Sequence, residues 1–130
     1  MVKAAEICIV VKSSIEALKL YESIFEIKKF DVVDKGIGLS EAIFGIYGTI
    51  FHLLDENHAH MLFAPQGGDI QSIWMNIAVP NIDETFKKAM DAGCRQISPV
   101  TKIGETKVKN AVFADNLGYI WMLHQFEQNV

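Results

Sequence analysis

Glu6-Ile7-Cys8-Ile9-Val10-Val11 and Trp74-Met75-Asn76-Ile77-Ala78-Val79 read as one strand written twice, from position 6 and again from position 74. The first runs into an amphipathic helix carrying Ile15, Leu18, Tyr21, Ile24 and Phe25. The second runs into a helix carrying Ile82, Phe86, Ala89 and Met90. At this offset Val11 falls on Val79, Leu18 on Phe86 and Tyr21 on Ala89, so strand exits and helix faces coincide. Self-similarity at a fixed spacing is an architectural signal. Two such halves can curl their sheets around a shared cavity.

Outward from the first strand, Ser13 and Ser14 are N-cap candidates with Glu16 in the first turn, and the helix extends to Phe25. Glu26–Asp34 reads as a strand ended by Lys35-Gly36. Ala42–Leu54 is rich in β-formers, its Gly45 and Gly48 suggesting a bulge or bend, and Ala59–Ala64 reads as the fourth strand. Pro65-Gln66-Gly67-Gly68-Asp69 is the main break, dividing the single domain of residues 1–130 into modules 1–66 and 70–130. In the second half, Pro80-Asn81-Ile82-Asp83 opens a helix over Asp83–Ala92, closed by Gly93. A strand at Cys94–Val100 and a hairpin of Thr106–Ala114 with Gly118–Phe126 follow. The count is β-α-β-β-β, twice. A ferredoxin-like β-α-β-β-α-β chain is the alternative, and it leaves at least two strands over.

Half the 130 residues are apolar, 22% are charged and the net charge is −4, an ordinary globular balance. With no Lys/Arg cluster, nothing points to nucleic acid. The longest N-terminal apolar run, Ile7–Val11, is far too short for a signal core or a membrane span. Cys8 and Cys94 sit in dissimilar contexts and read as free thiols of a reducing cytoplasm.

The chain resembles the vicinal oxygen chelate superfamily, which includes glyoxalase I, bleomycin-resistance proteins and extradiol dioxygenases, and through Ile50-Phe51-His52-Leu53-Leu54 followed by His60-Met61-Leu62-Phe63-Ala64 it is most similar to the PhnB-like subgroup. Three motifs carry the resemblance: the helix Ala17–Phe25, the junction Val79-Pro80-Asn81-Ile82-Asp83 with its closing Ala92-Gly93, and the turn Ala114-Asp115-Asn116-Leu117-Gly118-Tyr119. Asn116 departs from the turn proline of the family, and Glu26 stands where glycine usually follows the first helix. The resemblance implies an α+β fold in which two βαβββ modules form curved mixed sheets around a cleft. It also implies a homodimer.

In that family one divalent metal is held by four side chains, one from each of four strands. Carried across, these positions are Glu6, Leu62 or a neighbour, Trp74 and Met122. Only Glu6 offers a hard donor, so the resemblance implies the fold without the standard metal chemistry. A substitute site could recruit His58, His60 and His124 beside Glu6, but these residues sit off the expected ligand level. The expectation is no metal and no cofactor.

Strand alternation then gives a candidate cavity of Glu6, Cys8, His60, Leu62, Trp74, Asn76, Ile120, Met122 and His124. Either Trp74 and Met122 fill it as core, or they line a ligand pocket. Glu6 favours the pocket, because a carboxylate among apolar groups needs a partner, and His60, His124 and Asn76 are the candidates. The first reading is a cytoplasmic, dimeric protein that binds a small organic molecule. The second is an enzyme of glyoxalase or dioxygenase type, working through a non-standard metal site or through metal-free acid/base catalysis by Glu6. A third is a structural or regulatory protein with a filled cavity.

Overall fold

The computed structural model describes residues 5–66 and 72–126. The chain divides into two compact units, Met1–Pro65 and Gln66–Val130. The first contains β1 (Ile7–Val11), α1 (Ser14–Ile24), β2 (Lys28–Val33), β3 (Glu41–Ile46) and β4 (Thr49–Asp55). The second contains β5 (Trp74–Ala78), α2 (Ile82–Asp91), β6 (Arg95–Lys102), β7 (Val108–Ala114) and β8 (Ile120–Phe126). The sheet orders are β1-β4-β3-β2 and β5-β8-β7-β6. In each, the first strand pairs parallel with the fourth and the other neighbours are antiparallel. Both halves are therefore β-α-β-β-β units with mixed sheets, and the ferredoxin-like alternative is gone.

Alternation decides which side of each sheet is core. On β1, Ile9 and Val11 are buried, and their partners Leu53 and Asp55 on β4 are buried with them. α1 packs on this side through Ala17, Leu18, Tyr21 and Ile24, with the Tyr21 and Phe44 rings 6.1 Å apart and Phe44 stacked 5.5 Å from Phe51. The second module repeats the plan with Met75, Ile77, Phe86, Phe113, Trp121 and Leu123. Phe86 and Phe113 meet edge-on at 6.5 Å. Cys8, Val10 and His52, and equally Asn76, Ala78, Met122 and His124, fall on the opposite faces, away from the helices.

Both helices start the same way. Ser13 caps α1 by accepting from the Glu16 amide, and Asn81 caps α2 by accepting from the Glu84 amide. Each first helical amide is then taken by the last strand of its own sheet. Asp55 Oδ1 accepts from Ser14 N at 2.6 Å, and Gln125 Oε1 accepts from Ile82 N at 2.7 Å. Ser14 and Ile82 are 68 residues apart, so this latch obeys the repeat. Asp55 does more. Its Oδ1 also takes the Ser14 hydroxyl, and its Oδ2 takes the amides of Gly38 and Ser40 at 2.9 and 3.1 Å. Burial alone pushes the Asp55 carboxyl up, but the hydrogen bonds from Ser14, Ser40 and Gly38 outweigh it and hold the group below its usual range. Asp115 is the buried hub of the second module, accepting from Leu117 N, Tyr119 N and Trp121 Nε1, each at 2.9 Å.

The expected single run Ala42–Leu54 is two strands. Tyr47 (φ 50°) and Gly48 (φ 102°) turn the chain in the left-handed region between the closing pair Ile46 and Thr49. The fourth strand is thereby β4 and not Ala59–Ala64. That segment is a short 3₁₀ turn at His58–His60, followed by a bridge between Asn57 and Leu62. Of the separator, residues 67–69 lie outside the described residues, as do 3 and 4 of the expected first strand.

Candidate functional site

On the helix-free face of the first sheet, the register sets Cys8 of β1 directly opposite His52 of β4. Glu6 lies two residues before Cys8 and reaches the same face. Its Oε1 stands 3.0 Å from His52 Nδ1 and 3.8 Å from Cys8 Sγ. Ligand atoms of Glu6, Cys8 and His52 all lie within 4.8 Å of one another. The other imidazole nitrogen, Nε2, is 3.5 Å from Glu41 Oε1 on β3, an ion-pair distance but no hydrogen bond. His52 Nε2 and Glu6 Oε2 are accordingly buried atoms without a hydrogen-bond partner. Burial raises the Cys8 thiol, and the Glu6 charge and hydrogen bond push it further the same way. In this state Cys8 is a poor nucleophile. The Glu6–His52 pair is an acid/base couple in hydrogen-bond contact.

The helix-free face of the second sheet has different chemistry. Asn76 of β5 pairs with Met122 of β8, and Ala78 with His124. His124 Nδ1 lies 2.7 Å from Asn76 Oδ1, so a proton on Nδ1 makes the ring the donor. The His124 ring meets Phe126 edge-on at 5.3 Å. Ile120 packs with Val112 and Ala114 in a small buried cluster that Met122 partly covers. Trp74 is 51% exposed, an unusual position for so large an apolar ring.

Most residues anticipated from the sequence fall on these two faces: Glu6 and Cys8 on the first, Trp74, Asn76, Ile120, Met122 and His124 on the second. His60 and Leu62 do not, because the strand that would have placed them is not there. His58 and His60 are exposed in the 3₁₀ turn, with His58 beside Glu56 and Phe63, so neither approaches Glu6 as a strand pair. Within the first module the partner of Glu6 is His52 and not His60. His52 and Glu41 were missed, and the period-two pattern through Thr49–Asp55 would reveal His52 once a turn is placed at Tyr47-Gly48.

No protein-family model matches the sequence, and no curated protein sequence matches it. Solved structures do. The fosfomycin resistance protein FosX of Listeria monocytogenes, complexed with manganese(II) and sulfate, superposes with a TM-score of 0.71 at 14% identity, over 97% of this chain and 92% of FosX. The fold is that of the vicinal oxygen chelate superfamily. The PhnB protein of Bacillus cereus is similar with a TM-score of 0.70 at 17% identity, over 95% of this chain and 99% of PhnB. TioX from Micromonospora sp. ML1 is similar with a TM-score of 0.70 at 13% identity, covering 95% and 99%. Among the described residues no helix is long and apolar enough to cross a membrane.

With β4 at Thr49–Asp55, the fourth strand of the first module carries His52 and not Leu62, and His52 shares a face with Glu6. The matching places in the second module hold Trp74 and Met122, an indole and a thioether. Of these four side chains, only Glu6 and His52 carry oxygen or nitrogen donors suited to a divalent cation.

Proposed function

We propose that this vicinal oxygen chelate protein binds a small organic molecule without the four-ligand metal centre of its superfamily. The observation that carries the reading is Trp74, half exposed where a metal ligand would stand, beside the Asn76–His124 hydrogen-bonded pair. An indole face offers stacking to a planar or conjugated group, the thioether of Met122 offers adaptable contact, and Asn76–His124 offers a directional polar anchor. The matched ligand is a small aromatic or unsaturated molecule with one hydrogen-bonding substituent. A structural neighbour named for fosfomycin resistance supports a small organic molecule as the class. A cytoplasmic homodimer, with both thiols reduced, completes the proposal.

The test is fluorescence and thermal unfolding with a panel of small aromatic acids and dicarbonyls. A compound that quenches Trp74 and raises the melting temperature supports the reading. At about a hundredfold excess over its Kd it should add about 2.7 kcal/mol. Trp121 is fully buried and donates to Asp115, so it supplies a constant background. A stabilising compound whose fluorescence response persists in Trp74→Phe would place the ligand elsewhere and defeat the proposal.

A second reading is favoured by one distance, the 3.0 Å between Glu6 Oε1 and His52 Nδ1. In it the pair moves a proton on a carbonyl substrate, as a metal-free acid/base enzyme. Turnover of a dicarbonyl that is abolished by Glu6→Gln and by His52→Gln, with melting temperature unchanged, would support it. Turnover that survives both would end it.

A further inference from the structure

The geometry points to a binding site for a small dianionic oxyanion, inorganic phosphate or the phosphoryl group of a small ester, in a cavity of the second module lined by Lys102, Lys107, Lys109 and Gln125. Nothing on the Trp74 face enters it. Lys109 and Gln125 share the parity of Ala111 and Leu123, which are buried on the side where α2 packs, whereas Asn110 and His124 face the other way. The two sites lie on opposite sides of one sheet and can fail separately.

Strand register builds the site. Lys102 of β6 stands directly opposite Lys109 of β7, and Lys109 stands opposite Gln125 of β8, so the three form one row across the sheet. The row ends where α2 begins, because Gln125 Oε1 accepts from Ile82 N at 2.7 Å. Lys107 joins from the turn between β6 and β7. That turn is closed by Ile103 N donating to the Val108 carbonyl at 2.9 Å and Thr106 N donating to the Ile103 carbonyl at 3.0 Å. Like charges directly opposite one another destabilise a sheet. Lys102 facing Lys109, with Lys107 lining the same cavity, is a repulsion that a bound anion removes.

The carboxylate of Asp83 answers this charge only weakly. Its Oδ2 is 3.9 Å from Lys109 Nζ, and the two side chains are 70% and 48% exposed, so it offsets part of one charge. Glu105, in the same turn as Lys107, is exposed to solvent. The end of α2 is not the attraction, since the amides of Ile82 and Glu84 already donate to Gln125 and Asn81. With its oxygen so engaged, the Gln125 carboxamide has only its NH2 to offer a ligand. Every polar side-chain group of the lining is then a donor, and a cation finds no acceptor there. The cavity, about 140 Å³, lies well below the about 300–1,000 Å³ of a site for a drug-sized molecule. Its occupant is a small ion or one group of a larger molecule. Lysines bind phosphate as point charges, and three of them match a dianion better than the single charge of a monocarboxylate.

The experiment follows the amide resonances of the full chain by NMR at slightly alkaline pH, titrating sodium phosphate, glycerol 2-phosphate or sodium chloride at matched ionic strength. The expected result is saturable shifts of the Lys102, Lys107 and Lys109 amides and of the Gln125 side-chain NH2 with a phosphate species, and no saturation with chloride. Saturation by both phosphate species assigns a general phosphoryl site, by inorganic phosphate alone a site for the free ion, and by the ester alone a site for an esterified phosphoryl group. Lys102→Gln and Lys109→Gln should each weaken binding by up to about 5-fold. The two changes together should abolish saturation, and in chloride this variant should melt no lower than the parent, because a repulsion is gone. Changing Lys28 and Lys29 to Gln removes the same charge from the first module and should leave binding unchanged. If the Lys102 and Lys109 variants do not fold, Asp83→Asn serves instead and should strengthen binding by removing the competing carboxylate. No saturation with either phosphate species, an equal response to chloride, saturation that survives the Lys102 and Lys109 double change, equal weakening by the Lys28 and Lys29 change, or weaker binding in Asp83→Asn would each overturn the inference.

Discussion

Replacing Asp55 by Ala removes one acceptor group and leaves several donors behind. The Ser14 hydroxyl is least affected, because it also lies 3.0 Å from the Ser40 carbonyl and can turn to it. Gly38 is only half buried, so its amide can find water. The amides of Ser14 and Ser40 cannot, since these residues are 0% and 5% exposed. Two orphaned buried donors at about 1–3 kcal/mol each predict a loss of about 2–6 kcal/mol. That is a large share of a typical domain's stability of about 5–15 kcal/mol. Asp55→Asn should recover little, because its amide nitrogen faces donors on one side whichever way it is turned. Urea unfolding followed by far-ultraviolet circular dichroism measures both. A loss below about 1 kcal/mol for Asp55→Ala would mean that water reaches Ser14 N and Ser40 N, and the reasoning from burial would fail.

The same carboxyl predicts an acid dependence. Its folded pKa is lowered, so its contribution is complete above the unfolded value near 3.9 and is lost as pH falls below that through the folded value. Stability measured from about pH 5 downward should fall less steeply in Asp55→Asn than in the parent, and equal slopes would contradict the linkage. Gln125→Ala orphans only the Ile82 amide and should cost about 1 kcal/mol, lowering the melting temperature by about 2–6 °C. Burial and the Asp115 charge push the Cys94 thiol up to about 12, so a thiol reagent at about pH 8 should label only Cys8 in the folded protein, slowly, and both cysteines in denaturant. Two fast-labelling thiols in the native state would count against the burial of Cys94.

Much of the fold was legible because the repeat ties weak local signals together. Ser13 and Ser14 were readable as the cap candidates of the first helix and Pro80-Asn81-Ile82-Asp83 as the opening of the second, and Ser13 and Asn81 are the caps. The failure was local, and its cost fell on the site. A two-residue hairpin turn usually announces itself with Asn-Gly or Asp-Gly, and this one uses Tyr47-Gly48, placing a bulky residue at φ 50°. Reading through the turn merged β3 with β4 and pushed the fourth strand onto residues 59–64. Leu62 and His60 then occupied a position that belongs to His52. Glu41 was invisible for another reason: its nearness to His52 depends on the pairing of β3 with β4, which no spacing within one strand encodes. On the second sheet, where the strands were read correctly, Trp74, Asn76, Met122 and His124 share the face expected of them.

The latch that joins the last strand of each module to its helix lies on the parity opposite to the candidate chemistry. In β4 the odd-numbered Phe51, Leu53 and Asp55 hold the helix, while the even-numbered His52 and Leu54 face the other way. A mutational scan along β4 should therefore split into two interleaved records. Every second position reports folding, and the positions between report only what the exposed face recognises. Recognition in such a sheet can be rewritten one residue at a time with the helix still anchored, so a library restricted to His52 and Leu54 of β4 and Met122 and His124 of β8, leaving the buried Ile120 alone, would remain folded while its binding changed.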